Sequence, residues 1–282
     1  MKTKYLMIKF MILCQFVVLC FSITARAEET LTLWVHPYLP ATELIKKFTP
    51  LADYLSEKCG KIIRVNVSKS YKSHIERVGE DRMDLAYLGP ASLVKVMNEY
   101  GRKTLLARLE VNGSPIYHGM IVTSEASNIN SLNDLKGKNF AFGDPNSTMS
   151  HLVPRYMLLE AGVSIDDFKK VNFLGSHNNV ALGVLGGYYD AGGLKEGVYY
   201  KYRERGLKLL AESPPISEHL FVTRKDLPQS TIDILRQAMF ELKDPAILTP
   251  IKPSVTGLVP VKDEDYNYLI SVLRQLNKLK AE

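Results

Sequence analysis

The sequence has 282 residues, with 36 Lys and Arg against 30 Asp and Glu and a formal net charge of +6. Four of the basic residues precede residue 28, so the remainder carries 32 basic and 30 acidic residues, too balanced for the concentrated basic face of a nucleic-acid-binding protein. Of three cysteines only Cys59 follows residue 28, which excludes an intrachain disulfide and a cysteine-based metal site there.

The N-terminal segment has the pattern of a secretory signal peptide. Three lysines precede an apolar run from residue 10 to about 23, and Ala25-Arg26-Ala27 forms an A-x-A cleavage pattern. The run is shorter than the roughly 20 residues of a spanning helix. We therefore expect cleavage after residue 27, export, and a soluble product without a membrane span. Lipidation at Cys20 is the alternative, and the bulky Leu19 before it argues against that modification.

After this segment, short apolar runs typical of strands alternate with amphipathic helical patterns. In chain order, the first unit predicts a strand at 31–38, a helix at 41–60, a strand at 61–68, a helix at 70–82, a strand at 83–90, a helix at 91–101 and strands at 103–111 and 117–124. The alternation of strands and helices predicts an α/β fold with a mostly parallel sheet flanked by helices.

A second unit repeats this alternation without repeating the sequence. It predicts a turn and strand at 131–144, a helix at 147–162, a strand at 169–175, a helix at 176–187, a strand at 188–194, a helix at 195–206 and a strand at 207–213. A strand at 219–227 is expected to cross back to the first unit, followed by amphipathic helices at 230–243 and 263–279. We therefore predict a discontinuous lobe 1 (28–118 plus 218–282), an inserted lobe 2 (119–217), and a ligand cleft between lobes joined by two crossings.

The stretch 143–154, GDPNSTMSHLVP, places hydroxyl groups and a histidine where a strand leads into a helix. The unpaired N–H groups of a first helical turn and the positive end of the helix dipole favour a bound oxyanion. Ser147, Thr148 and Ser150 add hydroxyl groups at the same turn. Two other interpretations remain open: Ser147 or Thr148 is only an N-cap, or Ser147 is a nucleophile with His151 as its base.

Other residues at the expected cleft edge could donate to the same anion. His177 opens the helix of a second strand-to-helix turn and could donate a hydrogen bond, although a lone histidine is more often a surface or core residue. Tyr71 and Tyr87 follow apolar strand runs, and a phenol offers a directional donor without charge. Each tyrosine could equally be an aromatic core residue.

Four segments together resemble the phosphonate- and phosphite-type periplasmic substrate-binding proteins that serve ABC importers. They are 83–90 (MDLAYLGP), 112–148, 143–154 and 176–200, and the resemblance extends from about Leu31 to Leu227. Its most specific part is the D-P-N-S-T turn followed by S-H-x-N. The resemblance implies the two-lobed type II periplasmic binding protein fold, with the oxyanion at a helix N-terminus of the second lobe.

Carried over residue by residue, the resemblance implies a ligand-binding set from both lobes. Ser147 and Thr148 would bind the phospho-oxygens by hydroxyl and N–H, Met149 N–H and Ser150 would complete the turn, and His177, Tyr71 and Tyr87 would close the site. Glu196 falls near a position at which relatives that bind aminoalkylphosphonates hold the ammonium group. His219, beside Glu218, stands where a further acid is expected, and S-T-M-S replaces the usual S-T-S-G. These departures put aminoethylphosphonate in doubt and leave phosphite, phosphate or a small alkylphosphonate.

The expected function is the capture of a small phosphorus oxyanion for an ABC permease by a monomeric, non-enzymatic protein without cofactor or metal. A receptor of the same fold could instead serve a membrane histidine kinase. An exported serine hydrolase using Ser147 and His151 is the third interpretation, which lacks a G-x-S-x-G motif and an evident third catalytic residue.

Overall fold

Two β-sheets covered by helices make up residues 29–278, the part of the chain that the structure, a computed structural model, describes. The expected signal peptide 1–27, with its Cys20, lies outside these residues. The strands are β1 (Thr30–Val35), β2 (Ile62–Val67), β3 (Leu85–Leu88), β4 (Thr104–Val111), β5 (Ile116–Tyr117), β6 (Gly119–Ser124), β7 (Asn139–Phe142), β8 (Lys170–Phe173), β9 (Ala191–Lys195), β10 (Leu207–Glu212), β11 (Ile216–Ser217), β12 (Leu220–Thr223) and β13 (Val255–Val259).

The helices lie between these strands and at the C-terminal end. The α-helices are α1 (Ala41–Cys59), α2 (Tyr71–Gly79), α3 (Pro90–Tyr100), α4 (Val153–Glu160), α5 (His177–Leu185), α6 (Glu196–Tyr202), α7 (Gln229–Glu241), α8 (Pro245–Ile251) and α9 (Asn267–Lys278). A π-helix at Thr148–Leu152 leads into α4, and 3₁₀ turns lie at Asn133–Leu135, Ile165–Asp167, Arg203–Arg205 and Asp263–Tyr266.

The first sheet has six strands in the order β13-β4-β12-β3-β1-β2. Strands β1 and β3 are parallel, with Val35 opposite Tyr87. Strand β12 is antiparallel to both β3 and β4, with Phe221 opposite Tyr87 on one side and Ala107 on the other. The prediction that the strand after residue 218 crosses back to the first unit is therefore confirmed.

The second sheet has five strands in the order β10-β6-β9-β7-β8. Strand β7 is parallel to β8 and β9, whereas β6 is antiparallel to β9 and β10. The short strands β5 and β11 pair with each other, Tyr117 opposite Ile216, where the chain passes between the two sheets. Both passages therefore run side by side.

The predicted α/β fold is confirmed, and both sheets are mixed: four of the five strands of the second sheet share one direction, whereas the first sheet has both parallel and antiparallel pairs. Antiparallel β12 and β13 complete the first sheet, and β6 enters the second sheet against β9. Strands β6 and β12, which follow the two passages between the sheets, each pair antiparallel with both of their neighbours. In addition, no helix or strand was predicted for residues 245–259, which form α8 and β13.

Apolar periodicity explains the elements that cover the first sheet. Alternate residues of β1 are buried, as expected for a strand with one face on the core. In α1, Leu44, Phe48, Leu51 and Leu55 recur at helical spacing on the buried face, and the helix ends at Gly60 in the left-handed conformation, φ 66°.

The C-terminal helix α9 packs against helices of both sheets. Its buried residues Leu269 and Leu273 belong to the same apolar cluster as Val94 of α3 and Met157 of α4. The expected assignment of α9 to lobe 1 alone omits its contact with α4. Within residues 29–278, no helix combines the length and apolar character that a membrane crossing requires.

Candidate functional site

A cavity of about 480 Å³ collects residues from both sheets. One wall consists of residues that follow β1 and β3, the first turns of α2 and α3, and the segments before β12 and after α8. The opposite wall consists of the first turns of the π-helix and α5 and the end of β9. Its polar residues include His36, Tyr38, Tyr71, Tyr87, Tyr117, Asp144, Ser147, Thr148, Ser150, Ser176, His177, Lys195, His219 and Lys252.

The turn at residues 147–152 is an open N-terminus of a helix. Ser147 has extended backbone geometry, and its Oγ accepts a hydrogen bond from Ser150 N at 3.1 Å. Leu152 N donates to Ser147 O at 3.1 Å, which gives the turn its wide π geometry. As the first two residues of the helical segment, Thr148 and Met149 have N–H groups without an intrahelical acceptor. The N-cap interpretation is thus correct for Ser147, whose own O–H can still donate.

Ser150 lines the cavity and carries a buried hydroxyl group. Its side chain is fully buried, and among the described residues its Oγ makes no hydrogen bond. Gly143 lies against it so closely that a Cβ there would overlap Ser150 Oγ. A buried hydroxyl without a partner costs about 1–3 kcal/mol, so this position favours a ligand that supplies one.

His177 opens helix α5 as a neutral donor. Ser176 caps this helix by accepting from Asn179 N at 3.1 Å. His177 Nδ1 accepts from Lys195 N at 3.1 Å, so the proton of the neutral ring resides on Nε2. Burial, with repulsion from Lys195, lowers the pKa of His177 to about 3. The side chain therefore offers a neutral N–H to the cavity at physiological pH.

The first sheet presents a cluster of aromatic rings. The ring of Tyr87 lies 5.3 Å from that of His36, with 16° between the planes, and 5.6 Å from that of His219, with 19°. His36 and His219 are themselves 5.7 Å apart, and Tyr71 stacks on His36 at 5.3 Å. Burial raises the pKa of Tyr71 to about 12 and that of Tyr87 well above its usual value. Both phenols are therefore protonated hydrogen-bond donors.

Charged side chains lie next to this aromatic cluster. Glu218 is 1% exposed and accepts hydrogen bonds from Lys252 Nζ at 2.8 Å and from His219 N and Nδ1 at 3.2 and 3.1 Å. Burial raises the pKa of Glu218, but the His219 hydrogen bond and Lys252 outweigh it and lower the pKa to about 2. Lys252 also lies 6.0 Å from the ring centre of Tyr117, which lines the cavity together with Thr148. Lys195 lines the cavity near this pair.

Most of the residues that the sequence analysis proposed come together in this cavity. Those that line it are Tyr71, Tyr87, Ser147, Thr148, Met149, Ser150 and His177. Glu196 is not among the lining residues, and its Oε2 accepts from His118 N at 3.1 Å at the start of α6. The sequence analysis missed His36, Tyr117, Lys195 and Lys252. His36 follows an apolar strand just as the predicted tyrosines do, so that signal could have identified it.

His151, the proposed catalytic base, lies in an aromatic environment. Its ring stands edge-on to Phe142 at 5.0 Å and to Phe173 at 4.9 Å, and its Nδ1 donates to Pro145 O at 2.7 Å. His151 is not among the residues that line the cavity. Within residues 29–278, no group of three or more His, Cys, Asp or Glu side chains could hold a metal ion.

The fold and this site define a class of protein. The chain has two β-sheets covered by helices, and helix N-termini and neutral hydrogen-bond donors face one shared cavity. This is the architecture of a type II periplasmic binding protein. The family model described as "ABC transporter, phosphonate, periplasmic substrate-binding protein" matches residues 33–266. The chain therefore belongs to this family, and the resemblance recognised in the sequence is confirmed.

Individual relatives agree with this assignment. The phosphonates-binding periplasmic protein of Escherichia coli K12 is 29% identical over 200 residues, which cover 66% of this chain and 58% of that protein, less than two thirds of its length. The phosphate-import protein PhnD of Mycolicibacterium smegmatis is 27% identical over 269 residues, 85% of this chain and 83% of the relative. PhnD1 of Prochlorococcus marinus, solved in complex with methylphosphonate, has a TM-score of 0.72 at 24% identity, over 89% of this chain and 99% of that one. The similarity to the PhnD1 structure shows that the two chains share a fold.

Proposed function

We propose that this chain is an exported receptor that captures a small phosphorus oxyanion, a phosphonate, phosphite or phosphate, and presents it to the permease of an ABC importer. The observation that carries the proposal is the meeting of two serine-capped helix N-termini, at Ser147 and Ser176, with the unpartnered hydroxyl of Ser150 in one cavity. The names of the bacterial relatives support the same class of ligand.

The proposed binding mode uses neutral donors around the three oxygens of the oxyanion. Thr148 and Met149 would donate their backbone N–H groups, Ser147, Thr148 and Ser150 their hydroxyl groups, and His177 its Nε2–H. Tyr71 and Tyr87 would close the site from the first sheet, on the opposite wall of the cavity. Since Met149 is 2% exposed and belongs to the apolar core, its contribution is its backbone rather than its side chain.

The number of donors is sufficient for tight binding. A hydrogen bond to a charged group contributes roughly 1.5–3 kcal/mol, and micromolar affinity requires about 8 kcal/mol. Four or five such bonds would leave a surplus after the cost of ordering the ligand and the protein. Because the donors are mostly neutral, selectivity would depend on their geometry and on the shape of the cavity.

The remaining parts of the proposal follow from chain organisation. The strands of the first sheet come from residues 30–111 and 220–259, and those of the second from 119–212, which supports lobes at 28–118 plus 218–282 and 119–217. The paired passages β5 and β11 would then act as the hinge. We further propose cleavage of the signal peptide after residue 27, a monomeric product, and binding without a covalent step, since Ser147 acts as a cap and His151 packs against phenylalanines.

Calorimetry of the exported chain tests this proposal with phosphate, phosphite, methylphosphonate, aminoethylphosphonate and sulfate. We expect one-to-one binding of at least one phosphorus oxyanion and no turnover of a phosphate ester. At one hundred times its dissociation constant, such a ligand should stabilise the fold by about 2.7 kcal/mol. If no phosphorus compound binds or raises the melting temperature, the proposed function is wrong.

A further inference from the structure

Among the charged side chains that line the cavity, Lys195 differs because its ammonium group has no partner in the part of the chain that the structure describes. Its backbone N–H donates to His177 Nδ1 at 3.1 Å, while its side chain lines the cavity. Among residues 29–278, no hydrogen bond or ion pair involves Lys195 Nζ. A cation largely removed from water is unfavourable without a counter-charge, so this part of the cavity favours a negatively charged group.

The carboxylates nearby are not available to Lys195 as direct partners. Both oxygens of Glu218 are taken by Lys252 and His219, and Glu218 does not line the cavity. Asp144 lines the rim, is exposed, and accepts from Asn146 N at 2.7 Å. Burial, followed by repulsion from Lys252, lowers the pKa of Lys195, and attraction by Glu218 offsets this only in part.

Lys195 is a neighbour of one proposed oxyanion donor, His177. Its backbone N–H contacts the Nδ1 edge of the His177 ring, whereas the donor to the oxyanion is on the Nε2 edge, and the ammonium group of Lys195 opposes protonation of that ring. The cavity of about 480 Å³ lies in the size range of small-molecule sites and leaves room for a substituent beyond the phospho-group.

We propose that Lys195 forms a second anion subsite and that the preferred ligand is a phosphonate with a carboxylate on its substituent. The inference rests on the proposed function, since it assumes that the phospho-group occupies the turn at Ser147. The carboxylate would pair with Lys195, with Lys252 close by. An ammonium-bearing phosphonate would instead meet two cations, so aminoethylphosphonate is disfavoured.

The test compares three ligands by calorimetry: methylphosphonate, phosphonoacetate and phosphonoacetamide, in which a neutral amide replaces the carboxylate at similar shape. Each is titrated into the wild-type protein, Lys195→Gln and Lys195→Met. Lys201→Gln is the matched control, because Lys201 is exposed on α6 and its substitution removes the same charge outside the cavity. The melting temperature of each variant shows whether it is folded.

We expect the wild type and Lys201→Gln to bind phosphonoacetate roughly ten- to hundredfold more tightly than phosphonoacetamide, as a hydrogen bond between charged groups would give. Lys195→Gln should lose this preference while its affinity for methylphosphonate changes less than about threefold. No preference in the wild type, or equal weakening of all three ligands by Lys195→Gln, would overturn the subsite. If none of the three binds to the wild type while phosphate or phosphite does, the subsite is overturned and the proposed function stands, whereas binding of no phosphorus compound refutes the proposed function itself.

Discussion

Replacement of Glu218 by Gln should destabilise the protein and at the same time strengthen its binding of anions. Glu218 is 1% exposed and is held by Lys252 Nζ at 2.8 Å and by His219. The amide keeps the shape of the side chain but removes the charge that compensates Lys252. A variant that merely disturbs packing would lower both stability and affinity, so the opposite signs identify an electrostatic effect.

The size of the destabilisation follows from the pKa of Glu218. That pKa is about 2, against the usual 4.5. Each unit of difference between the folded and unfolded pKa corresponds to 1.36 kcal/mol, so ionised Glu218 contributes about 3 kcal/mol to the free energy of unfolding at neutral pH. Because the folded pKa lies below that of the unfolded chain, this contribution is present above pH 4.5 and is lost as the pH falls toward 2. For a chain of this size, about 3 kcal/mol lowers the melting temperature by roughly 6–12 °C.

Chemical denaturation of the wild type and Glu218→Gln across pH 7 to 3 measures this difference directly. We expect a gap of about 3 kcal/mol at pH 7 that narrows below pH 4.5, together with tighter phosphonate binding at low ionic strength. Glu212→Gln is the control, since Glu212 is 43% exposed, pairs with His118 at 3.2 Å, and should matter by less than about 1 kcal/mol. A gap that is absent at pH 7 or constant with pH would refute the reasoning.

Three further predictions concern the turn that opens the cavity. By calorimetry, Thr148→Ala and His177→Ala should weaken phosphonate binding more than Ser150→Ala, and equal affinity in all three would contradict the proposed binding mode. Gly143→Ala should weaken binding because its Cβ overlaps Ser150, whereas Gly197→Ala, with open space around it, should not; titration of both variants decides. Burial lowers the pKa of His177 to about 3, so below pH 6.5 the unfolded state takes up the proton first. The wild type should then lose about 2 kcal/mol relative to His177→Gln between pH 7 and 5 in denaturant titrations.

The fold was largely predictable because its elements have clear periodicity. Strand β1 and helix α1 each bury one regularly spaced set of apolar residues, and the sequence identifies both within a few positions. Strand direction was less accessible, because the antiparallel entry of β12 depends on which sheet the chain reaches and not on local pattern. Helix α8 and β13 were missed since Pro245 and Pro250 interrupt the apolar pattern of this segment.

The site residues that lie at a strand-to-helix turn were predictable from the sequence. Ser147 and His177 each follow a strand and open a helix, a local signal that needs no knowledge of the rest of the chain. The geometry that gives His177 its neutral, donating Nε2 was not accessible, since it depends on Lys195 N. Lys252 was also beyond reach, because it meets the cavity only through the packing of the segment after α8.

The contrast between Lys195 and Glu196 shows how one position can invert the charge of a binding site. The family resemblance places Glu196 near a position that contacts an ammonium group in some relatives, whereas Lys195, the last residue of β9, is the one that lines the cavity. Glu196 begins α6 and its carboxylate turns to His118 N. Where a strand gives way to a helix, neighbouring side chains leave the backbone in different directions. The wall at this point is therefore basic, which favours a ligand with a second negative charge over one with a positive charge.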